Sequence, residues 1–243
     1  MSLPQLSHRV EDVLVTRLST ITIPYKILIS TFKKMVTKEQ IIQWLQTVAV
    51  VLEQQKDYLT ELDAAIGDAD HGINMNRGFQ KVVTQLPNVA DKDISNILKT
   101  VSMTLISSVG GASGPLYGTL FLRASTAVSG KSELTDEDMV TLLQAAVDGI
   151  VQRGKANLGD KTMLDTLSPA LDAFKQAVAE GLSTQEALKQ AVAAAEEGMK
   201  STIPLVAKKG RASYLGDRSS GHVDPGATSA YLMLKTLLET VSG

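Results

Sequence analysis

The stretch KEQIIQWLQTVAVVLEQQKDYLTEL, from Lys38 to Leu62, carries the pattern that decides the fold. Its apolar residues recur mostly at steps of three and four, at positions 41, 42, 45, 48, 52, 59 and 62. Residues at these steps share one face of an α-helix. The stretch therefore predicts an amphipathic helix with one buried face.

The same pattern returns along the chain and predicts about eight helices. We place them near 38–62, 73–86, 92–108, 114–129, 136–154, 160–180, 184–207 and 226–241. Two starts have the spacing of a capping box, Ser183 with Glu186 and, as a weaker variant, Thr135 with Asp138. No run of alternating strands follows residue 36, so we predict an all-α, antiparallel up-and-down bundle and no sheet-based nucleotide fold.

The composition is that of a soluble globular chain and excludes several classes of function. The 243 residues are 44% hydrophobic and 21% charged, which is enough for one sizeable core. A net charge of −2 leaves no basic excess for nucleic acid, and no stretch reads as a membrane anchor or signal peptide. The absence of cysteine fits a reducing compartment. We expect a cytoplasmic protein that binds neither nucleic acid nor membrane.

Polar residues concentrate in four glycine-punctuated segments, each at a predicted junction between helices. These are LDAAIGDADHGINMNRG (62–78), SSVGGASGPLYG (107–118), RGKANLGDKTM (153–163) and KKGRASYLGDRSSGHVDPGATS (208–229). In an up-and-down bundle the junctions after the first, third, fifth and seventh helices lie at the same end, and these segments are those junctions. The sequence therefore predicts a single composite site on one rim.

Asp63, Asp68 and Asp70 form the first candidate group on this rim. A loop with conformational freedom at Gly67 and Gly72 can bring the three carboxylates together, and carboxylate oxygens are ligands that Mg²⁺ prefers. An EF-hand calcium loop is a poor fit, because the turn glycine and the acid at its twelfth position are missing. On this motif alone, a solvated acidic loop that caps a helix is an equally good explanation.

Two glycine-rich stretches, GGASG (110–114) and DPGATS (224–229), precede apolar helical segments. Free amides at such helix starts bind anionic oxygens such as those of phosphate, although ordinary capping explains the same residues. Neither stretch is a Walker loop, and the chain has no G-x-G-x-x-G. Arg211 adds a guanidinium that can grip a diphosphate, whereas a surface run explains Lys208 and Lys209 better.

Histidines and apolar residues near the rim can each have a functional or a purely structural role. His71 and His222 are candidates for a general base, a nucleophile or ordinary hydrogen-bonded loop residues. Because an aspartate precedes His71, a hydrogen bond from its ring to a phosphate oxygen beside a bound cation is the better functional role. Met163, Leu116 and Leu164 can form the floor of an adenine pocket, and core packing explains them equally well.

Taken together, the segments contain four long motifs in a fixed order, GDADHGINMNRGF, SSVGGASGPLYGT, RGKANLGDKTM and KGRASYLGDRSSGHVDPGATS. They closely resemble the nucleotide-binding L subunit of bacterial dihydroxyacetone kinase, and the resemblance runs from about residue 36 to the end. It implies an eight-helix antiparallel barrel with ADP and two Mg²⁺ at one end. Residues 1–35 fall outside it, so we expect an N-terminal extension (1–35) and an ADP- and Mg-binding domain (36–243), with Met35 as a candidate natural start.

Position by position, the resemblance assigns roles to residues of these motifs. Asp63, Asp68 and Asp70 match the magnesium ligands. The nucleotide contacts are matched by His71, Gly72, Ile73, Asn74, Ala112, Ser113, Gly154, Met163, Arg211, Asp224, Pro225 and Gly226. The resemblance implies ADP as a resident carrier of the phosphoryl group, so no residue of this chain needs to be phosphorylated and none beyond the metal and phosphate site is catalytic.

The family uses its nucleotide in two ways. In the phosphotransferase-system type, an M subunit phosphorylated ultimately from phosphoenolpyruvate recharges ADP on L, and L passes the phosphoryl group to dihydroxyacetone held on K. In the other type, K-like and L-like domains share one chain and exchange free ATP. A separate L chain favours the first type, with K and M subunits as partners, and we expect a homodimer. An ATP-dependent kinase, a co-activator of a transcription regulator and a purely structural bundle are the alternatives.

Overall fold

The computed structural model describes residues 35–243, which form nine α-helices. The helices are α1 (Lys38–Gln54), α2 (Lys56–Ile66), α3 (His71–Gln85), α4 (Ile94–Ser108), α5 (Ser113–Ala127), α6 (Asp136–Gly154), α7 (Leu164–Ala179), α8 (Thr184–Ser201) and α9 (Pro225–Ser242). Two 3₁₀ segments, Leu86–Asn88 and Arg211–Ser219, lie in the connections. Our prediction of an N-terminal extension falls, apart from Met35, outside the described residues.

The predicted all-α fold is confirmed, although the helix count and some helix ends differ. The first predicted helix is divided into α1 and α2 at Gln55, whose backbone (φ −96°, ψ 5°) leaves the helical range. The predicted helix 184–207 ends at Ser201, because Pro204 lacks an N–H and disfavours a helical residue before it. Within residues 35–243, two short strands, β1 (Val36–Thr37) and β2 (Glu133–Leu134), pair antiparallel.

The helix starts follow from local sequence. Both predicted capping boxes are present, at Thr135 before α6 and at Ser183 before α8. A third box, formed by Thr37 and Gln40, starts α1. In each box the N-cap side chain accepts an N–H of the first turn that has no partner within the helix.

The helices pack as a closed ring around one apolar interior. Each helix from α3 to α8 packs against the next in the chain, and α9 closes the ring against α1. Because α1 and α2 run on from one another and both pack on α3, they form one wall, and the barrel has the eight walls that the sequence predicts. The rings of Phe79, Phe121 and Phe174 are fully buried inside it.

Trp44 on α1 secures the contact that closes the ring. Its indole N–H donates to the carbonyl oxygen of Met233 on α9 at 3.0 Å. Its ring centroid lies 6.0 Å from that of Phe121 across the interior. The polar atom of this buried ring is therefore satisfied by the neighbouring wall.

Four loops lie at one end of the barrel, as predicted for the junctions that follow every second helix of an up-and-down bundle. They span residues 67–70, 109–112, 155–163 and 202–224. The paired strands β1 and β2 lie at the other end, where α1 and α6 begin. In the described part of the chain, no helix combines the length and the apolar character that crossing a membrane requires.

Candidate functional site

Three carboxylates meet at the rim. One oxygen from each of Asp63, Asp68 and Asp70 lies within 4.8 Å of the others. Asp63 is buried in the last turn of α2, Asp70 is half-buried just before α3, and Asp68 is exposed between them. Carboxylates this close repel one another unless a cation offsets their charge, and their hard oxygens suit Mg²⁺. The three predicted metal ligands are thus brought together.

The Asp63 carboxylate also organises the loop. Its Oδ2 accepts the backbone N–H of Asp70 at 2.8 Å and that of His71 at 3.2 Å. These N–H groups stand at the start of α3, where the Asp70 side chain provides no cap within the described structure. The buried carboxylate therefore acts as the cap of α3 from a distance of seven residues in sequence.

Gly67 and Gly72 are required because other atoms come close to them, and not for the conformational freedom that we predict from the sequence. A Cβ atom on Gly67 would lie 2.1 Å from Asp63 Oδ1, and one on Gly72 would lie 2.0 Å from the carbonyl oxygen of Lys56. The residue of this loop with a left-handed backbone is Ala69, at φ 60°. Gly67 therefore lets the chain pass the buried carboxylate, and Gly72 lets α3 pack closely on α2.

Arg211 reaches the aspartates from the loop between α8 and α9. Its Nε lies 3.0 Å from Asp68 Oδ2, and its side chain is 67% exposed, so the guanidinium remains accessible to a ligand. The neighbouring lysines differ from each other. Lys208 pairs with Asp160, at 3.7 Å between Nζ and Oδ1, whereas Lys209 lines the same cavity as the aspartates.

The loops line two adjoining open cavities whose walls differ in chemistry. The smaller, of about 130 Å³, has the three aspartates and Arg211 in its wall. The larger, of about 530 Å³, is mainly apolar and is lined by Leu116, Ile150 and Met163 among others. Both walls include His71, Ala112, Ser113, Lys209, Gly210, Asp224 and Pro225. This shape suits a ligand with a multiply charged end and a larger, flatter apolar end.

His71 lies between the two cavities in a buried chain of hydrogen bonds. Its Nδ1 is 3.1 Å from Ser113 Oγ on α5, and its Nε2 is 2.9 Å from Ser229 Oγ on α9. Ser229 Oγ is also 2.7 Å from the hydroxyl of Tyr117. Burial lowers the pKa of His71 against the opposing charge of the nearby aspartates, which favours a neutral ring. Sequence reasoning missed Ser229 and Tyr117, although Ser229 belongs to the DPGATS motif.

Two helices begin at the site where the glycine-rich stretches predict them. Helix α5 begins at Ser113, and within the described residues no side chain caps its first turn. Helix α9 begins after Asp224, whose carboxylate accepts the N–H of Ala227 at 2.7 Å. Burial raises the pKa of the Asp224 carboxyl to about 7, against the lowering effects of that hydrogen bond and of the Lys161 ammonium. The free amides of α5 therefore offer the better anion site.

The remaining candidates divide between the cavity walls and other places. Gly154 and Gly226 line the larger cavity, as Met163 does. Gly72, Ile73 and Asn74, in the first turn of α3, line neither cavity. Neither do Leu164, which packs in the core, and His222, whose side chain is exposed. Asn74 is nonetheless buried beside the site, where its Oδ1 accepts a hydrogen bond from Arg77 Nη2 at 2.6 Å.

Comparison with known proteins identifies the family. A profile of the DAK2 domain matches residues 65–239. The chain belongs to the DAK2 domain family. This DAK2 domain is 50% identical over 201 residues to the ADP-binding subunit DhaL of the PEP-dependent dihydroxyacetone kinase of Escherichia coli, and the alignment covers 83% of this chain and 96% of that relative. It is 42% identical over 208 residues to the ADP-binding subunit DhaL of the PTS-dependent dihydroxyacetone kinase of Lactococcus lactis, covering 86% and 100% of the two chains.

Solved structures share the fold of this DAK2 domain. The native dihydroxyacetone kinase of C. freundii matches with a TM-score of 0.64 and 23% identity, over 86% of this chain and 36% of that one. The same enzyme in complex with AMP-PNP and Mg²⁺ matches with a TM-score of 0.64 and 24% identity, over 86% and 35%. The chain thus spans about a third of the length of the C. freundii chain. The likeness confirms the all-α fold, and the resemblance drawn from the four motifs is confirmed by the family match.

Proposed function

We propose that this chain is the ADP-binding subunit of a phosphoenolpyruvate-dependent dihydroxyacetone kinase. In this role it passes a phosphoryl group from a phosphorylated M-type protein, by way of bound ADP, to dihydroxyacetone held on a K subunit. The observation that carries the proposal is the cavity of three carboxylates and Arg211 beside a larger apolar cavity. The E. coli and L. lactis relatives are ADP-binding subunits of kinases of this type, which supports the assignment.

The acidic cavity fits magnesium, and we assign two ions to it. Asp63, Asp68 and Asp70 would hold them, since their oxygens converge and hard oxygen donors are the ligands Mg²⁺ takes. Bound magnesium neutralises the charge of the diphosphate and of the transferring group. The C. freundii complex with AMP-PNP and Mg²⁺ supports the pairing of nucleotide with this metal.

The chain's own residues position the nucleotide. We assign the phosphates to the smaller cavity, where Arg211, the His71 ring and the first-turn amides of α5 lie around one space. The nucleoside belongs in the larger cavity, against Met163 and Gly154. Fixed donors of this kind stabilise charge without reorganising during the reaction. The proposal leaves activation of the acceptor hydroxyl to the K subunit.

Replacing Arg211 by lysine tests the diphosphate contact. Arg211→Lys keeps the charge but loses the planar fork that binds two phosphate oxygens at once, so we expect ADP to bind about tenfold more weakly. Equilibrium dialysis with labelled ADP measures the change. The matched control is Arg218→Lys in the same 3₁₀ segment, which lies outside both cavity walls. Equal ADP affinity in both variants would make Arg211 a surface charge.

The four loops that line the site also lead us to expect that ADP remains bound through many turnovers. Loops from four junctions line the two cavities, and a ligand that contacts several loops at once is released slowly because these contacts must all be lost before it leaves. To test this, the purified chain is loaded with radiolabelled ADP and then mixed with excess unlabelled ATP. The rate at which label is lost is compared with the turnover rate in the presence of the K subunit. We expect label to remain over many turnovers driven by a phosphorylated M-type protein, and no sustained product with free ATP.

Label lost as fast as product forms, together with steady turnover on ATP, would establish the ATP-dependent alternative. The chain without K subunit is the control, and it should form no dihydroxyacetone phosphate because the acceptor is held on K.

Native mass spectrometry of the same sample measures the number of bound metal ions and the number of chains, and so tests the proposed two magnesium ions and the proposed homodimer. The three aspartates favour catalysis over a purely regulatory role as a co-activator. Cytoplasmic location stays a prediction.

A further inference from the structure

Lys161 is a buried lysine in the loop between α6 and α7. Its side chain is only 1% exposed, and its backbone has the left-handed φ of 62°. A lysine is almost never fully buried unless its ammonium group is paired, and a left-handed backbone is uncommon outside glycine. Two unfavourable features at one residue require a compensating interaction.

The Lys161 ammonium finds that compensation in three main-chain carbonyl groups. Its Nζ donates to the carbonyl oxygen of Thr202 at 2.7 Å, to that of Ile203 at 3.4 Å and, at short range, to that of His222. An ammonium group has three N–H donors, so the three carbonyls satisfy it completely. Burial lowers the pKa of Lys161, and the nearby Asp224 carboxylate opposes this effect.

The three carbonyls belong to the two ends of one loop. Thr202 and Ile203 begin the 202–224 loop, and His222 is near its end. Two further bonds join these ends, from the N–H of Asp224 to Thr202 Oγ1 at 3.0 Å and from the N–H of Gly221 to the Ile203 carbonyl at 2.8 Å. The ammonium therefore closes the base of the loop that carries Arg211 above the aspartates.

The backbone of Lys161 is anchored to the opposite wall of the site. The Asp165 carboxylate at the start of α7 accepts the N–H of Gly159 at 2.5 Å and that of Thr162 at 2.7 Å. Met163, two residues after the lysine, lines the larger cavity. Lys161 thus links the wall of the apolar cavity to the base of the loop that bears Arg211.

We propose that Lys161 is a positioning residue for the nucleotide. Its ammonium fixes the base of the 202–224 loop and thereby holds Arg211 in the wall that faces the diphosphate. The inference rests on the proposed function, because it concerns the same nucleotide site. Its consequence is that Lys161 sets the rate at which ADP leaves.

The test compares two lysines of one loop. Lys161→Met keeps an unbranched apolar chain as long as the stem of lysine and removes the ammonium, and we expect it to release labelled ADP about tenfold faster than wild type. Lys155→Met is the matched control, because Lys155 also has a left-handed backbone (φ 48°) but is exposed. We expect Lys155→Met to release ADP at the wild-type rate. Amide hydrogen exchange should become faster within 202–224 in Lys161→Met and remain unchanged in α4.

A double-mutant cycle separates positioning from general loss of stability. If Lys161 acts by holding Arg211, then Lys161→Met should change the rate of ADP release little in an Arg211→Ala background. If Lys161→Met instead destabilises the protein in general, its effect on the release rate should be as large in that background as in wild type. An additive cycle would overturn the proposal, as would an unchanged release rate in Lys161→Met.

Two further results, a Lys161→Met variant that does not fold and a wild-type protein that binds no ADP, have different consequences. If Lys161→Met does not fold, Lys161→Gln is used in the same cycle, since its amide retains donors for two of the carbonyls. For Lys161→Gln we expect release a few-fold faster than wild type and the same lack of additivity, and a wild-type rate would overturn the proposal. If wild-type protein binds no ADP at all, the proposed function fails together with this inference, whereas a failure confined to the Lys161 variants leaves the proposed function standing.

Discussion

Asp70→Ala is expected to reduce phosphoryl transfer to below about a hundredth of the wild-type rate while the barrel stays folded. The substitution removes one of the three converging carboxylates. Within residues 35–243 the Asp70 side chain makes no capping hydrogen bond, and its backbone N–H, which alanine keeps, makes the bond to Asp63. The loop therefore retains its internal bonds. Product formation with K subunit and phosphorylated M-type donor gives the rate, and far-UV circular dichroism gives the fold.

The control for this variant is Asp57→Ala on the same wall of the barrel. The Asp57 side chain is 95% exposed near the start of α2, and its pairing with Lys56 at 3.5 Å is a surface ion pair of small energy. We expect wild-type activity from it. Full phosphoryl transfer by Asp70→Ala would contradict the role of Asp70 as a metal ligand, and loss of helical signal would show that the carboxylate is structural.

Gly198→Ala is expected to lower the free energy of unfolding by roughly 1–3 kcal/mol. Gly198 on α8 packs against α7, where Pro169 cannot donate a helical hydrogen bond to the carbonyl group of Asp165. A Cβ on Gly198 would lie 2.2 Å from that carbonyl oxygen and 3.0 Å from Pro169 Cγ, so α7 and α8 would have to move apart. The helix propensity gained with alanine, about 1 kcal/mol, only partly offsets this. Urea denaturation measures the difference.

Gly149→Ala is the matched control on α6. The nearest atoms to its added Cβ are Arg123 Cγ at 2.6 Å, Arg123 Cβ at 3.2 Å and Thr119 Cγ2 at 3.3 Å. A change of rotamer of the exposed Arg123 side chain removes the first contact, and shifts of a few tenths of an ångström relieve the other two. We expect a change in the free energy of unfolding of less than about 1 kcal/mol, because the gain in helix propensity offsets the displacement. Equal stabilities of the two variants would mean that α7 and α8 have room for a methyl group.

The barrel was predictable because its signals are local. The three- and four-residue spacing of apolar side chains and the serine and threonine caps lie within single helices, and the parity of the junctions then places four loops on one rim. The break at Gln55 gives no such signal, since glutamine is common inside helices. The helix predicted from residue 160 is α7, which begins at Leu164 because the backbone at Gly159 and Lys161 is left-handed. A lysine gives no warning of that conformation.

The site was predictable where a motif gathers its own residues, as with Asp63, Asp68 and Asp70. It was not predictable where partners come from distant parts of the chain. Ser229 meets the His71 ring from 158 positions away, and the carbonyl groups that hold Lys161 carry no mark in the sequence, because every residue has one. The role of Gly67 was also hidden, since only the position of the Asp63 carboxylate shows why a side chain has no space there.

Trp44 gives the protein a built-in optical reporter. It is the chain's single tryptophan, so all indole emission comes from one ring at the seam between α1 and α9. The walls of both rim cavities leave it out. Fluorescence excited at wavelengths that tryptophan absorbs and tyrosine does not therefore reports the opening of the barrel. We expect it not to change when a ligand binds in the rim cavities. Unfolding can thus be followed in the presence of nucleotide, metal or partner without attaching a dye.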